Sequence, residues 1–243
     1  MHNISMTIAA LLVGFSLAQA QTPKEPAPAP KMKTYQFVFF RKGAPVQMTA
    51  EETQKTMQRH LQNLERIWLI ENKAVLLGPL TDNGDIRGIA VLDTTPEDAK
   101  KLMDEDPFIK SGAMKADIRP LMAADGFLRK PPKFMDLMPY TIGFYKRPAG
   151  ELPKLEPEES KKLMAAHLAN NEKMWKEGAL VWAGPFLDNT EIRGLLVFRI
   201  TSQEKIKAMI AEDALVKAGR LVAELHPAMT AKGVFPPLEN PGG

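Results

Sequence analysis

Residues 78–88 read GPLTDNGDIRG, and residues 184–194 read GPFLDNTEIRG. A chain that writes one loop twice is constrained as a repeat, because each supersecondary unit must then bury the same kind of surface in the same way. The likeness runs well beyond the loop. His60-Leu61 recurs as His167-Leu168 and Trp68 as Trp175, both 107 positions on; Gly78-Pro79 recurs as Gly184-Pro185, 106 positions on; Asp106, Gly112 and Pro120 recur as Asp213, Gly219 and Pro227, again 107 on. Each copy even closes alike, with Gly126 to Pro132 (GFLRKPP) echoed by Gly233 to Pro237 (GVFPP).

The repeat divides the chain. Residues 1–20 read as a signal peptide: Ile8 to Leu17 is apolar but shorter than the roughly 20 residues a membrane span needs, and Ala18-Gln19-Ala20 is a small-x-small cleavage pattern. The first residues carry no Lys or Arg, only His2 and the chain's own amine, and no cysteine follows Ala20 to take a lipid. A secreted or periplasmic product starting near Gln21 is expected, with no stable membrane span after cleavage. Residues 21–33 contain TPKEPAPAP and form a Pro-rich tether expected to be disordered; residues 34–127 are the first copy, 128–139 a linker, 140–234 the second copy and 235–243 a tail.

Both copies show the same order of elements. TYQFVFF and YTIGFY are short β-prone runs; Thr49 to Asn72 and Glu156 to Gly178 have helical period; VLLGPL, LVWAGPF, IRGIAVLD and IRGLLVFRI are apolar and strand-like. Thr95 to Glu105 and Ser202 to Glu212 read as second helices, and Lys115 to Leu121 and Leu221 to Pro227 as closing strands. The pattern predicts α+β units of βαββαβ order, the ferredoxin-like arrangement of four antiparallel strands with both helices on one face. A sheet with one wet face alternates apolar and polar residues, whereas these strands are apolar almost throughout, so both faces must be covered. Two helices cover one face, and the sister sheet is the simplest cover for the other. The units are therefore expected to pack sheet to sheet as an internal pseudo-dimer; further oligomerisation is left open.

Several function classes are disfavoured. The chain has no cysteine, which removes disulfides, thiolate metal sites and cysteine nucleophiles. A formal charge of +3, with lysines and acids interspersed, gives no basic stripe for nucleic acid. The histidines lack metal-ligand spacing, no glycine run would cradle a phosphate, and no serine sits in a nucleophile elbow. Neither a metal nor another cofactor is expected.

The residues with chemical potential come in pairs. His60 lies between Met57 and Leu64 on the apolar stripe of the first long helix, and His167 lies likewise between Leu163 or Met164 and Asn171. Each is either a core histidine satisfied by one hydrogen bond or a general acid or base. Asp82 and Asp188, four residues after the Gly-Pro glycines, are candidate partners that would orient the imidazole; as members of an Asp-Asn turn they need no chemistry at all. Arg87 and Arg193 either hold an anionic substrate group or pair with Asp85 and Glu191 on their own strands. Asp106 and Asp213 either contribute to substrate binding or cap the region after the second helix. Trp68 and Trp175 are expected in the core.

An HL pair on a helix, a strand ending GPL or GPF with an Asp just beyond, and DPFIKSG before the last strand together resemble the YciI family (YCII-related domain), and the resemblance covers both copies. It implies a ferredoxin-like fold paired into an α+β barrel, related to dimeric barrels that include muconolactone isomerase-like enzymes. It also implies a His/Asp active-site pair in a pocket between helix and sheet, which carries over here to His60 with Asp82 and to His167 with Asp188. The second copy departs from the pattern where DALVKAG stands in place of DPFIKSG. Two readings follow: a small-molecule enzyme of isomerase, lyase or hydrolase type, or a non-catalytic module that binds a small ligand or a partner protein.

Overall fold

The computed structural model describes residues 31–237. The expected signal peptide, all but the last three residues of the expected tether, and the end of the tail lie outside the described residues. The first unit runs β1 (Met32–Lys42), α1 (Ala50–Glu65), β2 (Ala74–Pro79), β3 (Ile86–Leu92), α2 (Pro96–Asp104), α3 (Pro107–Lys110) and β4 (Met114–Ala124). The second runs β5 (Leu137–Lys146), α4 (Pro157–Lys176), β6 (Leu180–Pro185), β7 (Ile192–Phe198), α5 (Gln203–Ala211), α6 (Ala214–Lys217) and β8 (Val222–Ala231). Strand β1 starts earlier than the sequence suggests, because Met32 and Lys33 pair with Ala124 and Ala123 of β4.

The helices begin where their residues dictate. Thr49 caps α1 in a reciprocal box with Glu52, Thr95 caps α2 ahead of Pro96, and Ser202 caps α5, each side chain accepting a backbone amide that the first turn leaves unpaired. The strands form two antiparallel sheets of identical order, β2-β3-β1-β4 and β6-β7-β5-β8, so each unit is a ferredoxin-like βαββαβ fold.

The sheets face each other through an aromatic core. Phe37 and Phe39 of β1 meet Phe144 of β5 at ring-centroid distances of 6.0 and 5.2 Å. Phe186, from the loop after β6, crosses between the units and stands edge-on to Phe37 at 5.2 Å. Phe37, Phe39 and Phe144 are at most 1% exposed, and burial of a side chain of this size stabilises by about 1.5–3 kcal/mol. The edges close as well. Thr81 donates its amide to the Pro227 carbonyl (2.8 Å) and Leu187 donates to Pro120 (2.9 Å), while bridges join Leu80 to Ala228 and Leu121 to Phe186. Each sheet thus extends onto an edge of the other, and the two units form one α+β barrel.

That closure explains the repeated Gly-Pro. A Cβ placed on Gly78 would stand 1.9 Å from the Met229 carbonyl oxygen, and one on Gly184 would stand 2.1 Å from that of Met122. Both glycines permit backbone of one unit to touch backbone of the other.

Between the long helix and the second helix of each unit, the repeat register contains two compensating slips. The helical offset of 107 falls to 106 at β2, and it returns to 107 by α2. One turn of π-helix at Arg66–Ile70, with the Glu71 amide bonded to the Arg66 carbonyl, absorbs the extra residue of the first unit. It rotates Trp68 inward to 2% exposure, and the buried residue in the matching place of the second unit is Met174. Trp175, expected in the core, is instead 46% exposed against Phe127, because α4 continues without that extra residue.

Gly78→Ala and Gly184→Ala are expected to force the sheet edges apart at a cost of about 1–3 kcal/mol each, lowering the melting temperature by roughly 5 °C. Gly84→Ala, whose Cβ would lie 3.3 Å from the Asp82 carboxylate, is expected to be tolerated. Thermal unfolding followed by circular dichroism checks both.

Candidate functional site

His60 emerges from the inner side of α1 between the rings of Phe40 and Phe108, with centroid distances of 5.9 and 5.4 Å. Its Nδ1 lies 2.6 Å from Oδ2 of Asp106, a fully buried carboxylate. The other oxygen of Asp106 accepts the Phe108 amide at 3.0 Å and so caps α3, while the Asn63 side chain reaches Oδ2 at 3.4 Å. Asp106 therefore does two things at once: it starts a turn of helix and fixes an imidazole. An ionised carboxylate can only accept, so the neutral tautomer that fits this contact carries its proton on Nδ1, and Nε2 has no protein partner among the described residues.

A cavity of about 630 Å³ lies in front of this ring, between α1 and the sheet. Leu61, Leu64, Trp68 and Phe108 make its wall apolar, and Phe134 and Met135 from the segment joining the two units close one side. Lys42 and Arg87 are its only cationic residues, and no acidic residue lines it.

The second unit repeats the pair and changes its surroundings. His167 Nδ1 lies 2.6 Å from Oδ2 of Asp213, and Oδ1 of Asp213 accepts the amides of Leu215 and Val216. Tyr145, where the first unit has Phe40, donates its hydroxyl to Asp213 at 3.3 Å. Asn171, where the first unit has Leu64, places its amide nitrogen 3.2 Å from His167 Nε2. Both ring nitrogens of His167 are thereby occupied. Burial opposes ionisation of Asp213, but the His167 bond and charge and the two amides together hold its carboxyl below the ordinary 3.8. Burial, reinforced by the neighbouring Asp213, pushes the Tyr145 phenol far up, so it remains a donor.

The expected pairings of His60 with Asp82 and of His167 with Asp188 do not form. Asp82 lies across the unit boundary, 2.5 Å from Nδ1 of His226 on β8. Asp188 reaches back the other way, 3.8 Å from Arg119 on β4, and Thr190 bridges the two by accepting from Arg119 at 2.6 Å and donating to Asp188 at 3.0 Å. The physical reason is strand direction: the loops after β2 and β6 leave the sheet edge toward the neighbouring unit, away from their own helix. A signal for the true partners was present, since Asp106 and Asp213 share the 107-residue offset of the histidines whereas Asp82 and Asp188 share the 106-residue offset of the edge strands.

Arg87 and Arg193 also avoid the acids beside them. Asp85 pairs with Arg41 at 2.9 Å and Glu191 with Lys146 at 3.3 Å. Arg193 folds onto its own loop, donating to the Asp188 and Thr190 carbonyls and to Asn189 Oδ1. Arg87 has no such contacts among the described residues and lines the cavity. His226 Nε2 has Glu224 Oε1 at 3.2 Å but no aligned hydrogen bond, so the ion-pair distance overstates that contact and the Asp82 bond is the firm one. Among the described residues no group of His, Asp and Glu converges to hold a metal ion, and no helix is long and apolar enough to cross a membrane.

Two outcomes follow from this geometry. Diethyl pyrocarbonate, read out by peptide mass spectrometry, is expected to acylate His60 faster than His167, and Asn171→Leu is expected to raise the His167 rate toward that of His60. The second outcome concerns Asp82. Burial disfavours its charge, but the His226 bond and the Gly84 amide lower its carboxyl below the ordinary 3.8, so its contribution to stability is present above that value and is lost as pH falls through the folded-state value. Asp82→Asn is expected to melt roughly 2–4 °C below the parent at about pH 6, a gap that narrows in thermal melts as pH falls below the ordinary 3.8.

Comparison with known proteins bears on fold and family. A family model described as YCII-related domain matches residues 138–225. No curated protein matches the chain at the sequence level. Among solved structures, a candidate chlorite dismutase superposes with a TM-score of 0.53 at 12% identity, covering 82% of this chain and 94% of that one. A heme-binding protein from Thermus thermophilus gives 0.49 at 13% identity, with 83% and 94% covered, and a candidate monooxygenase from Lactobacillus acidophilus gives 0.46 at 10%, with 81% and 93% covered. The first of these likenesses spans both units and is one of fold, the two-sheet α+β barrel. The match to the YCII-related domain model falls within the second unit, from β5 to β8.

Proposed function

We propose that this protein is an acid–base catalyst for a small molecule bound in the cavity of the first unit, with His60 as the proton carrier and Asp106 as its positioning partner. The observation that carries this reading is the 2.6 Å contact between His60 Nδ1 and buried Asp106, set behind an imidazole Nε2 that opens on an apolar cavity. In that arrangement Nε2 accepts a proton from an acidic C–H or O–H of the substrate. The imidazolium that forms is stabilised by the Asp106 carboxylate, and the same proton is returned to another atom of the substrate or to a leaving group. Isomerisation and elimination both satisfy that balance, and hydrolysis does so if the proton comes from water. A positioned group of this kind contributes about 10²–10⁴-fold to rate. None of these steps requires a metal or a redox group. Arg87, on the cavity wall, is available to an anionic part of the substrate.

The first unit would then act as a second YCII-like domain in tandem with the family-matched one, and the second unit, whose His167 is engaged at both nitrogens, would serve as its scaffold. The N-terminal sequence supports export of the mature chain, which N-terminal sequencing of protein recovered outside the cytoplasm would test. A second reading, a non-catalytic ligand-binding module of the same fold, is favoured by the largely apolar lining of the cavity.

Small molecules that raise the melting temperature would be assayed for conversion by the parent chain and by variants. His60→Gln is expected to lower turnover by about 10²–10⁴-fold while ligand binding persists, and His167→Gln to leave turnover unchanged. Ligands that bind without conversion, or turnover that survives His60→Gln, would favour the binding module instead.

A further inference from the structure

Lys42 and Arg87 sit on adjacent strands at one end of the first sheet. The Lys42 amide donates to the Asp85 carbonyl at 2.8 Å, Arg87 is two residues further along the chain in β3, and both side chains line the cavity on the helix-covered face. Neither side chain has a hydrogen-bond or ion-pair partner among the described residues. The acid that stands nearest in sequence is already engaged: Arg41, whose side chain turns to the opposite face, takes Asp85 at 2.9 Å and Asp117 at 3.0 Å. Two cations therefore converge on a cavity that has no acidic residue in its wall.

The second unit shows what the same positions do when they serve structure alone. Arg147 and Arg193 occupy the places of Lys42 and Arg87, and both donate to Oδ1 of Asn189, each at 3.3 Å. In the first unit the equivalent Asn83 has turned into a left-handed conformation, φ 57°, and takes neither cation. The chain thus carries one pair of cations bound by its own loop and one pair held open beside His60.

We infer that the cavity takes an apolar molecule bearing a carboxylate, with Lys42 and Arg87 forming the anion subsite and the Leu61, Leu64 and Trp68 wall holding the body. This rests on the reading that the first-unit cavity is the functional site, and it adds Lys42 and a ligand class to it. The fork of Arg87 suits the two oxygens of a carboxylate, and Lys42 supplies a second charge at the exposed rim. A carboxylate fixed there places the carbon skeleton along the wall toward His60 Nε2.

The test uses the full chain and two fluorescent probes of the same shape, 1-naphthylacetate and its neutral amide. The acid is expected to bind about tenfold or more tightly than the amide, with the margin shrinking as salt is raised. In a Lys42→Met, Arg87→Met variant the margin is expected to vanish while amide binding persists, which shows the cavity intact. Equal binding of acid and amide, a preference that survives the double variant, or no acid binding at millimolar concentration overturns the inference. His60→Gln is expected to keep the acid preference. A preference with no His60-dependent turnover would sink the catalytic reading alone, and His60-dependent turnover without the preference would sink the anion subsite alone.

Discussion

Backbone meets backbone at Gly78 and Gly184, closer than any side chain permits, and the rest of the molecule is arranged around those two contacts. They let β2 and β6 lie against the last strands of the opposite unit, which brings Phe186 into the aromatic core and aligns the loop amides of Thr81 and Leu187 with carbonyls across the boundary. The same loops then project Asp82 and Asp188 onto His226 and Arg119. The repeated GP-x-x-D-N sequence is therefore an interlocking device, each copy serving the unit it does not belong to. Hydrophobic burial supplies the driving force for that association, and the polar clasp fixes its register.

Much of this was legible in the residues. Strands without polar alternation required cover on both faces, and each sheet has it; the order of elements was readable from the helical periods that begin at Thr49, Thr95 and Ser202 and from the apolar runs between them. The histidines were legible as inward-facing. Their partners were not, because a sequence separation gives no direction: Asp82 is close to the end of a strand that starts beside α1, yet the strand carries it away, while Asp106 returns from 46 residues downstream. Asp106 was also masked by its local role, since a helix cap looks complete without a second contact. Trp175 was misplaced for a related reason. One residue inserted as a π-turn in the first unit rotates Trp68 by a helical step, and a comparison of offsets on the two sides of that turn is the only trace it leaves in the sequence.

The two units keep one architecture and differ in what faces the imidazole. Leu64 against Asn171, Phe40 against Tyr145 and Lys42 against Arg147 are three exchanges within one layer of the fold, and all three tend the same way. In the second unit each exchange supplies a hydrogen bond that the protein makes to itself. In the first, polar capacity is left over next to apolar surface. A site that satisfies its own donors and acceptors is stable and has little left with which to hold another molecule, whereas unspent capacity beside a dry wall is the ordinary composition of a ligand pocket.

The segment carrying Phe134 and Met135 is at once the covalent join of the two halves and part of the cavity wall. In a pair of separate identical subunits every exchange is made twice and no such strap exists, so two equivalent mouths would open and neither could specialise without the other. Fusion breaks that parity: the two halves are free to diverge, as Leu64 and Asn171 have done, and the strap that joins them becomes part of the chamber beside His60.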